Sequence, residues 1–228
     1  MLADFLAGEA AIGTVERDDG SVFPHMTDYY VAPFRSWWPQ ERRAMRLVRG
    51  RVLDVGSGAG RVGLHLQGRG HEVVGVDVSP IAVEISRERG LQDARVGTLG
   101  AVREDERFDT ILLLGNNLGL LGGEREGRRL LKKLARLANE RGRLLAGSHD
   151  PYEGASDFKR RYQERNRERG KLGGVERVRV RYHQYATPWY DVLFASRDEV
   201  VELAVDTGWV VSRFVEDGPG YVAVLDRG

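Results

Sequence analysis

The 228-residue sequence contains no cysteine, which excludes disulfides, thiolate metal sites, iron–sulfur clusters and a thiol nucleophile. Its five histidines never fall in an H-x-x-H or H-x-x-x-H spacing, so no metal site is predicted. No apolar run approaches the roughly 18 residues that a membrane-spanning helix needs. The N-terminus also lacks a cationic leader, and a cytoplasmic protein without a membrane partner is therefore expected.

The sequence also lacks an excess of charge of either sign. Lysine and arginine total 35 against 34 for aspartate and glutamate, giving a net charge of +1. This balance argues against a nucleic-acid partner, since it provides no overall attraction to phosphates. Apolar residues make up 41% and charged residues 30%, which is typical of a globular protein with one large domain.

Short apolar strands alternate with helices between residues 51 and 148. The predicted strands cover 51–55, 72–76, 94–96, 109–114 and 143–147, and the predicted helices cover 61–67, 80–89 and 124–138. Upstream, we expect helices over 2–11 and 37–48 and an irregular segment over 13–31. The alternation predicts an α/β fold with a doubly wound, mostly parallel sheet and helices on both of its faces.

The alternation breaks after Ser148 and resumes with a helix over 197–207 and strands over 209–216 and 221–226. The last two strands are close enough in sequence to form an antiparallel pair. We therefore assign 1–148 and 197–228 to one domain, with 1–36 as an irregular lid segment. Residues 149–196 form an insertion between the fifth strand and its helix, and we expect it to cap the substrate pocket.

A glycine-rich turn follows the first strand of this domain and reads D-x-G-x-G-x-G from Asp54 to Gly60. Glycines let a ligand approach the backbone, and the helix that follows offers free N–H donors. Asp77 closes the next strand, where an acid suits a ribose diol. A dinucleotide frame from Gly58 to Gly63 matches formally. However, this match starts two residues too late relative to the end of the strand. Asp54 also favours a cationic ligand, such as the sulfonium and ammonium of S-adenosylmethionine.

These residues resemble the class I S-adenosylmethionine-dependent methyltransferases over about 37–148 and 197–228. The resemblance implies a seven-stranded sheet whose last strand is antiparallel. It also implies the following cofactor-binding residues: Asp54, Gly56, Ser57, Gly58 and Gly60 in the loop, Asp77 at the ribose, Val78 on the adenine, and Asn116 and Asn117 beside the methyl group. Many family members bind the adenine amine with an acid after the third strand, and here Thr98 or a backbone carbonyl has to replace it.

Candidate catalytic residues follow the fifth strand. His149 and Asp150 lie where a general base can reach an acceptor, although a strand-end cap and a turn before Pro151 explain them slightly better. Methyl transfer needs no acid, since the sulfonium is already activated, and positioning does most of the work. The aromatic residues upstream either close the cofactor pocket or fill the core: Tyr29, Tyr30, Trp37 and Trp38.

The function predicted from these features is methyl transfer from S-adenosylmethionine to oxygen or nitrogen of a small-molecule acceptor, leaving S-adenosylhomocysteine. One alternative is an RNA or protein methyltransferase that docks through the insertion, where ten basic residues face four acidic ones between Asp157 and Arg181. Another is a binding module without activity. Arg177, Arg179 and Arg181 share one face of a predicted strand, and that face points either to solvent or into the cleft.

Overall fold

The computed structural model describes residues 1–9, 11–25 and 27–228. Its strands are β1 (Gly13–Arg17), β2 (Val22–His25), β3 (Val52–Val55), β4 (Val73–Asp77), β5 (Asp93–Val96), β6 (Phe108–Leu113), β7 (Ala138–His149), β8 (Val175–Tyr182), β9 (Tyr185–Ala186), β10 (Tyr190–Leu193), β11 (Trp209–Asp217) and β12 (Gly220–Arg227). Its α-helices are α1 (Leu2–Leu6), α2 (Pro39–Ala44), α3 (Arg61–Gln67), α4 (Pro80–Glu88), α5 (Glu124–Leu137), α6 (Asp157–Glu168) and α7 (Arg197–Ala204).

The central sheet has seven strands in the order β11-β12-β7-β6-β3-β4-β5. The pairs from β7 to β5 are parallel, and β12 is antiparallel to both of its neighbours. The predicted sheet with an antiparallel last strand is therefore confirmed. Strand β3 pairs with β4 on one side and with β6 on the other, so the direction of winding reverses there. Such a reversal opens a crevice at the carboxyl ends of the two strands, where ligands of α/β sheets bind.

Helices cover both faces of this sheet, as the alternation predicts. On one face, Leu53 and Val55 of β3 belong to a buried cluster that includes Leu134 of α5. On the other face, Val52 belongs to a cluster that includes Val62 of α3. Strands buried on both faces read as continuous apolar runs, which explains why β3 and β6 were recognisable in the sequence.

Several helices are shorter than predicted. Helix α1 ends at Leu6, and α2 passes into a 3₁₀ turn at Met45–Leu47. The strand β7 begins directly at the end of α5, five residues before its predicted start at residue 143. The reason is tertiary, because Ala138 pairs with Phe108 of β6 across the sheet. No helix in the described ranges is long and apolar enough to cross a bilayer.

A second sheet combines the N-terminal segment with the insertion. Its strands run in the order β10-β8-β1-β2, with β9 paired to β8, and all pairs are antiparallel. The prediction of an irregular segment over 13–31 is therefore wrong for the two strands it contains. Short strands of this kind are stabilised by distant partners, and Val15 of β1 pairs with Val180 of β8. A local sequence pattern carries no information about such pairing.

The arginine face of β8 lies against acids of the same sheet. Arg179 donates to both carboxylate oxygens of Glu16, at 2.9 and 3.0 Å. Arg181 reaches Glu16 at 3.1 Å, and Arg177 reaches Asp191 at 3.1 Å. The side chains of Arg177 and Arg181 are also about half exposed, so this face is neither a desolvated cleft nor an unpaired basic surface.

Candidate active site

The glycine loop after β3 is tied to the segment that follows β6. Gly56, Gly58 and Gly60 all have positive φ angles, of 71°, 54° and 78°. The side-chain amide of Asn117 donates to the carbonyl of Val55 at 3.0 Å and to that of Gly56 at 2.9 Å. A Cβ atom at Gly56 would lie 2.5 Å from this amide nitrogen. Gly56 is therefore required both by its backbone conformation and by the close approach of Asn117.

Substituting Gly56 by alanine, beside a control glycine, separates the close approach of Asn117 from the requirement for a left-handed backbone. We expect Gly56→Ala to cost about 1–2 kcal/mol for the left-handed backbone and to weaken ligand binding by displacing Asn117. Gly70→Ala is the matched control, since Gly70 has a φ of 87° and nothing within 4 Å of a Cβ. Urea denaturation should show a loss of stability for both and a larger one for Gly56→Ala, which also breaks the two hydrogen bonds of Asn117. Calorimetry should show weaker S-adenosylhomocysteine binding only for Gly56→Ala. Equal binding by the two variants would contradict the role of Asn117.

Asp77 closes β4 beside the same loop. Its Oδ2 accepts a hydrogen bond from the amide of Gly58 at 2.8 Å, and its Oδ1 accepts one from Ser79 at 2.9 Å. The carboxylate is thus fixed in direction and retains lone pairs on both oxygens. Val78 is 68% exposed beside it, while Thr98 is exposed and its hydroxyl caps the short turn at Gly100.

Asp54 is buried at the bottom of the cleft and is 2% exposed. Its Oδ2 and the hydroxyl of Ser57 are buried without a hydrogen-bond partner in the described part of the chain. Burial raises the pKa of Asp54 to about 7, with Asp77 and Glu41 adding to the shift and Arg61 opposing it. A buried carboxyl that lacks a partner indicates a place for a donor or cation from a ligand.

A buried network that the sequence did not reveal lies beside Asp54. Glu41 accepts hydrogen bonds from the hydroxyl of Tyr29 at 2.8 Å, from Arg61 at 3.0 Å and from the amide of Gly115 at 2.6 Å. The Arg61 guanidinium lies over the rings of Tyr29 and Trp37, at 4.2 and 4.4 Å. Arg61 can be located from the sequence because it directly follows the glycine loop. Glu41 lies on a helix far upstream, and no sequence motif around it indicates a role in the site.

The Glu41–Arg61 pair should be strongly coupled, because both side chains are buried. We expect Glu41→Gln to reduce the free energy of unfolding by about 3–5 kcal/mol, since it leaves the Arg61 charge unpaired. The double variant Glu41→Gln/Arg61→Gln should recover part of this loss in urea denaturation. Asp105→Asn, which breaks the exposed pair with Arg103, is the control and should change little. Additive effects at Glu41 and Arg61 would show that the two are not coupled.

These groups surround a cleft with a volume of about 240 Å³. Five of the predicted cofactor residues line it together: Asp54, Gly56, Ser57, Asn116 and Asn117. The upstream aromatic residues were expected either to close the cofactor pocket or to fill the core, and the structure shows both roles. Tyr29, Tyr30 and Trp38 line the cleft, whereas Trp37 is buried among Phe34 and His65. His25, at the end of β2, also lines the cleft, and the sequence had not singled it out as a site residue.

The structure places the candidate bases His149 and Asp150 outside the residues that line this cleft. The His149 ring packs on Phe194 at 4.4 Å, and its pKa falls to about 4 through burial and the nearby charge of Lys159. Asp150 accepts from the amide of Tyr152 at 2.9 Å and pairs with Arg197 at 3.3 Å. These contacts match the turn considered as the alternative, and the catalytic role of both residues stays a prediction.

Comparisons with known proteins agree with this geometry. A family described as "Methyltransferase domain" matches residues 52–142. An S-adenosylmethionine-dependent methyltransferase of Bacteroides fragilis, crystallised with S-adenosyl-L-homocysteine, superposes with a TM-score of 0.84 and 27% identity, covering 100% of this chain and 92% of that one. A second such methyltransferase, of Methanosarcina mazei, has a TM-score of 0.64 and 17% identity over 84% of this chain and 98% of that one, which shows likeness of fold.

A curated relative is more similar in sequence but over a shorter stretch. The tRNA (uracil(54)-C(5))-methyltransferase of Pyrococcus horikoshii is 36% identical over 104 residues, which are 42% of this chain. The match spans only 23% of that protein's length, so the similarity is confined to a shared domain.

The strand order, the glycine loop and the acid that closes β4 together define a Rossmann-like nucleoside-binding domain. Residues 52–142 match the methyltransferase-domain family, and the whole chain has the fold of S-adenosylmethionine-dependent methyltransferases. The predicted family is thereby confirmed, and with it the enzyme class and the cofactor that define the family.

Proposed function

We propose that this protein transfers the methyl group of S-adenosylmethionine to a small-molecule acceptor, on oxygen or nitrogen. The observation that carries this proposal is the buried, unpartnered Oδ2 of Asp54 in a cleft that aromatic side chains also line. A cofactor with a sulfonium and an ammonium group fits this cleft, because Asp54 lines it and the charge of Arg61 is paired with Glu41 behind it. The bound cofactor supplies the chemistry as an already activated methyl group.

The residues of the chain bind and orient the reactants. Asp77 is directed by Gly58 and Ser79 to receive ribose hydroxyls. Asn117 holds the glycine loop in the shape that lets a ligand contact the backbone. Val78 offers exposed apolar surface for the adenine, and Thr98 lies at the adjacent strand end. No proton has to be supplied to the cofactor, so orientation accounts for most of the rate enhancement.

We propose that residues 149–196 act with the N-terminal segment as a cap over the acceptor. The shared sheet supports this, because β2 leads through His25 toward Tyr29 and Tyr30 at the cleft wall. The ring of Tyr29 also stacks on Trp38 at 4.3 Å, which gives this wall an aromatic lining. An aromatic wall on this cleft favours the exclusion of water from the reacting groups.

Calorimetry and a turnover assay test this function. We expect S-adenosylhomocysteine to bind and NAD not to bind, and we expect methyl-labelled S-adenosylmethionine to label members of a panel of phenols, carboxylic acids and amines. Binding of NAD alone would overturn the cofactor assignment. Cofactor binding without transfer to any class of acceptor, RNA included, would instead indicate the non-catalytic binding module.

An RNA acceptor is the second candidate, and two observations favour it. One is the similarity to a tRNA methyltransferase over 104 residues. The other is a groove of about 450 Å³ lined by four arginines: Arg42, Arg43, Arg46 and Arg69. Within the described ranges only Arg43 has a carboxylate partner, Asp217 at 3.5 Å. The insertion is less suited to docking, since its Lys171 and Arg177 both pair with Asp191.

The RNA candidate predicts salt-dependent binding of bulk tRNA that is lost in Arg46→Glu/Arg69→Glu. It also predicts methyl incorporation into that tRNA. The small-molecule proposal predicts neither result, and the double variant should then bind S-adenosylhomocysteine and label small acceptors as the parent does.

A further inference from the structure

His25 is a titratable side chain on the wall of the cleft. It belongs to the second sheet, formed by β10, β8, β1 and β2 with β9. It is the last residue of β2 and pairs with Gly13 of β1. It lines the same cleft as Asp54 and Asn116, which belong to the central sheet. The second sheet therefore brings an imidazole to the wall of the cleft that Asp54 and Asn116 also line.

The other titratable groups of the cleft are hydrogen-bonded within the protein or are assigned to the cofactor. The hydroxyl of Tyr29 donates to Glu41, and Glu41 is bound to Arg61. Asp54 lies on the floor, where the proposed cofactor binds. Tyr30 stacks on His25 with ring centroids 5.6 Å apart and planes 3° from parallel, and its hydroxyl lies 3.5 Å from Nε2.

The imidazole of His25 itself has a free nitrogen. Its Nδ1 is buried and has no partner in the described part of the chain. Burial lowers the pKa of His25, so the ring is neutral near pH 7. The charged side chains that line the same cleft are Asp54 and Arg61, and Arg61 is paired with Glu41. A neutral imidazole with an unused nitrogen has the properties of a general base.

We propose that His25 is the general base of the reaction and that the acceptor is a hydroxyl compound of the phenol type. This inference rests on the proposed function. Nδ1 takes the proton of the acceptor O–H while the acceptor oxygen forms a bond to the methyl carbon. The carbon–sulfur bond breaks, and its electron pair goes to sulfur, which becomes an uncharged thioether. The imidazolium then returns its proton to water. A neutral amine needs no such base before attack, which is why the free imidazole favours a hydroxyl acceptor.

The test compares the parent protein with His25→Gln, using phenol, catechol and 4-nitrophenol as probes. We expect kcat to fall by about 100-fold to 10,000-fold, with the Kd of S-adenosylhomocysteine changed less than about threefold. The kcat of the parent should rise with pH through the His25 pKa and then level off. The variant should lose this step, and its rate should follow ionisation of the phenol. His71→Gln, which removes an imidazole bonded to the Gly50 carbonyl outside the cleft, should behave as the parent.

Rescue separates a chemical role from a structural one. Added imidazole should restore part of the activity of His25→Gly and should not affect His25→Gln. Phenol methylation in His25→Gln at the parental rate and pH profile would overturn the proposal, as would transfer to amines alone.

A second measurement does not depend on the acceptor. Nitrogen NMR of the protein saturated with S-adenosylhomocysteine should show His25 with an unprotonated Nδ1 at pH 7. A protonated Nδ1 would overturn the base, even if none of the phenols is methylated. Failure of the proposed function is recognised separately, by the absence of S-adenosylhomocysteine binding to the parent protein.

Discussion

Replacement of Asp77 by alanine should weaken S-adenosylhomocysteine binding by about 100-fold or more. The carboxylate is expected to accept from two ribose hydroxyls, and charge-assisted hydrogen bonds contribute about 1.5–3 kcal/mol each. Alanine also removes the acceptor for the amide of Gly58, so the loop loses the bond that directs it. The lost hydrogen bonds to the ribose and the lost restraint on the loop therefore both weaken binding.

Titration calorimetry at constant pH and salt measures this loss. Glu84→Ala is the matched control, because Glu84 is an exposed acid on α4, the helix that follows Asp77. It removes the same charge and should leave the Kd within about twofold. If Asp77→Ala folds normally and binds S-adenosylhomocysteine as tightly as the control does, Asp77 does not bind the ribose.

Cofactor affinity should rise with pH between pH 6 and 8, by up to tenfold per unit below about pH 7. The pKa of Asp54 is raised by burial to about 7 from an ordinary value of 3.8. In the free protein Asp54 is therefore largely protonated at pH 6, whereas a cationic ligand favours the ionised form. Binding at pH 6 must then release a proton, and calorimetry in buffers of different ionisation enthalpy detects it.

The raised pKa of Asp54 also makes the stability of the free protein depend on pH. This stability falls as the pH rises, whereas cofactor affinity increases. A carboxyl whose folded pKa is raised stabilises the fold below its unfolded value of 3.8, and that stabilisation is lost as the pH rises through about 7. Asp54→Asn should therefore raise the melting temperature of the ligand-free protein at pH 8. It should also weaken cofactor binding at pH 8 and abolish its pH dependence. Retention of the parental pH dependence in Asp54→Asn would assign the titration to another group.

The central sheet and the cofactor loop could be derived from the sequence because their signals are local. The apolar run of β3, the positive-φ glycines from Gly56 to Gly60 and the acid Asp77 lie within 26 residues of each other, counting from Val52 to Asp77. Each is required by the strand, turn or helix in which it lies, so composition and spacing suffice to recognise it. The antiparallel last strand followed from the short connection between β11 and β12 together with the resemblance to the family.

Only the tertiary structure decided the second sheet and the groups that line the cleft with the loop. Strand β1 pairs with β8, Glu41 reaches Arg61 and Gly115, and His25 is delivered to the cleft wall by β2. These contacts join segments that are distant in the chain. A pattern with a period of two or 3.6 residues specifies which face of an element is apolar, but it does not specify the distant partner that covers this face.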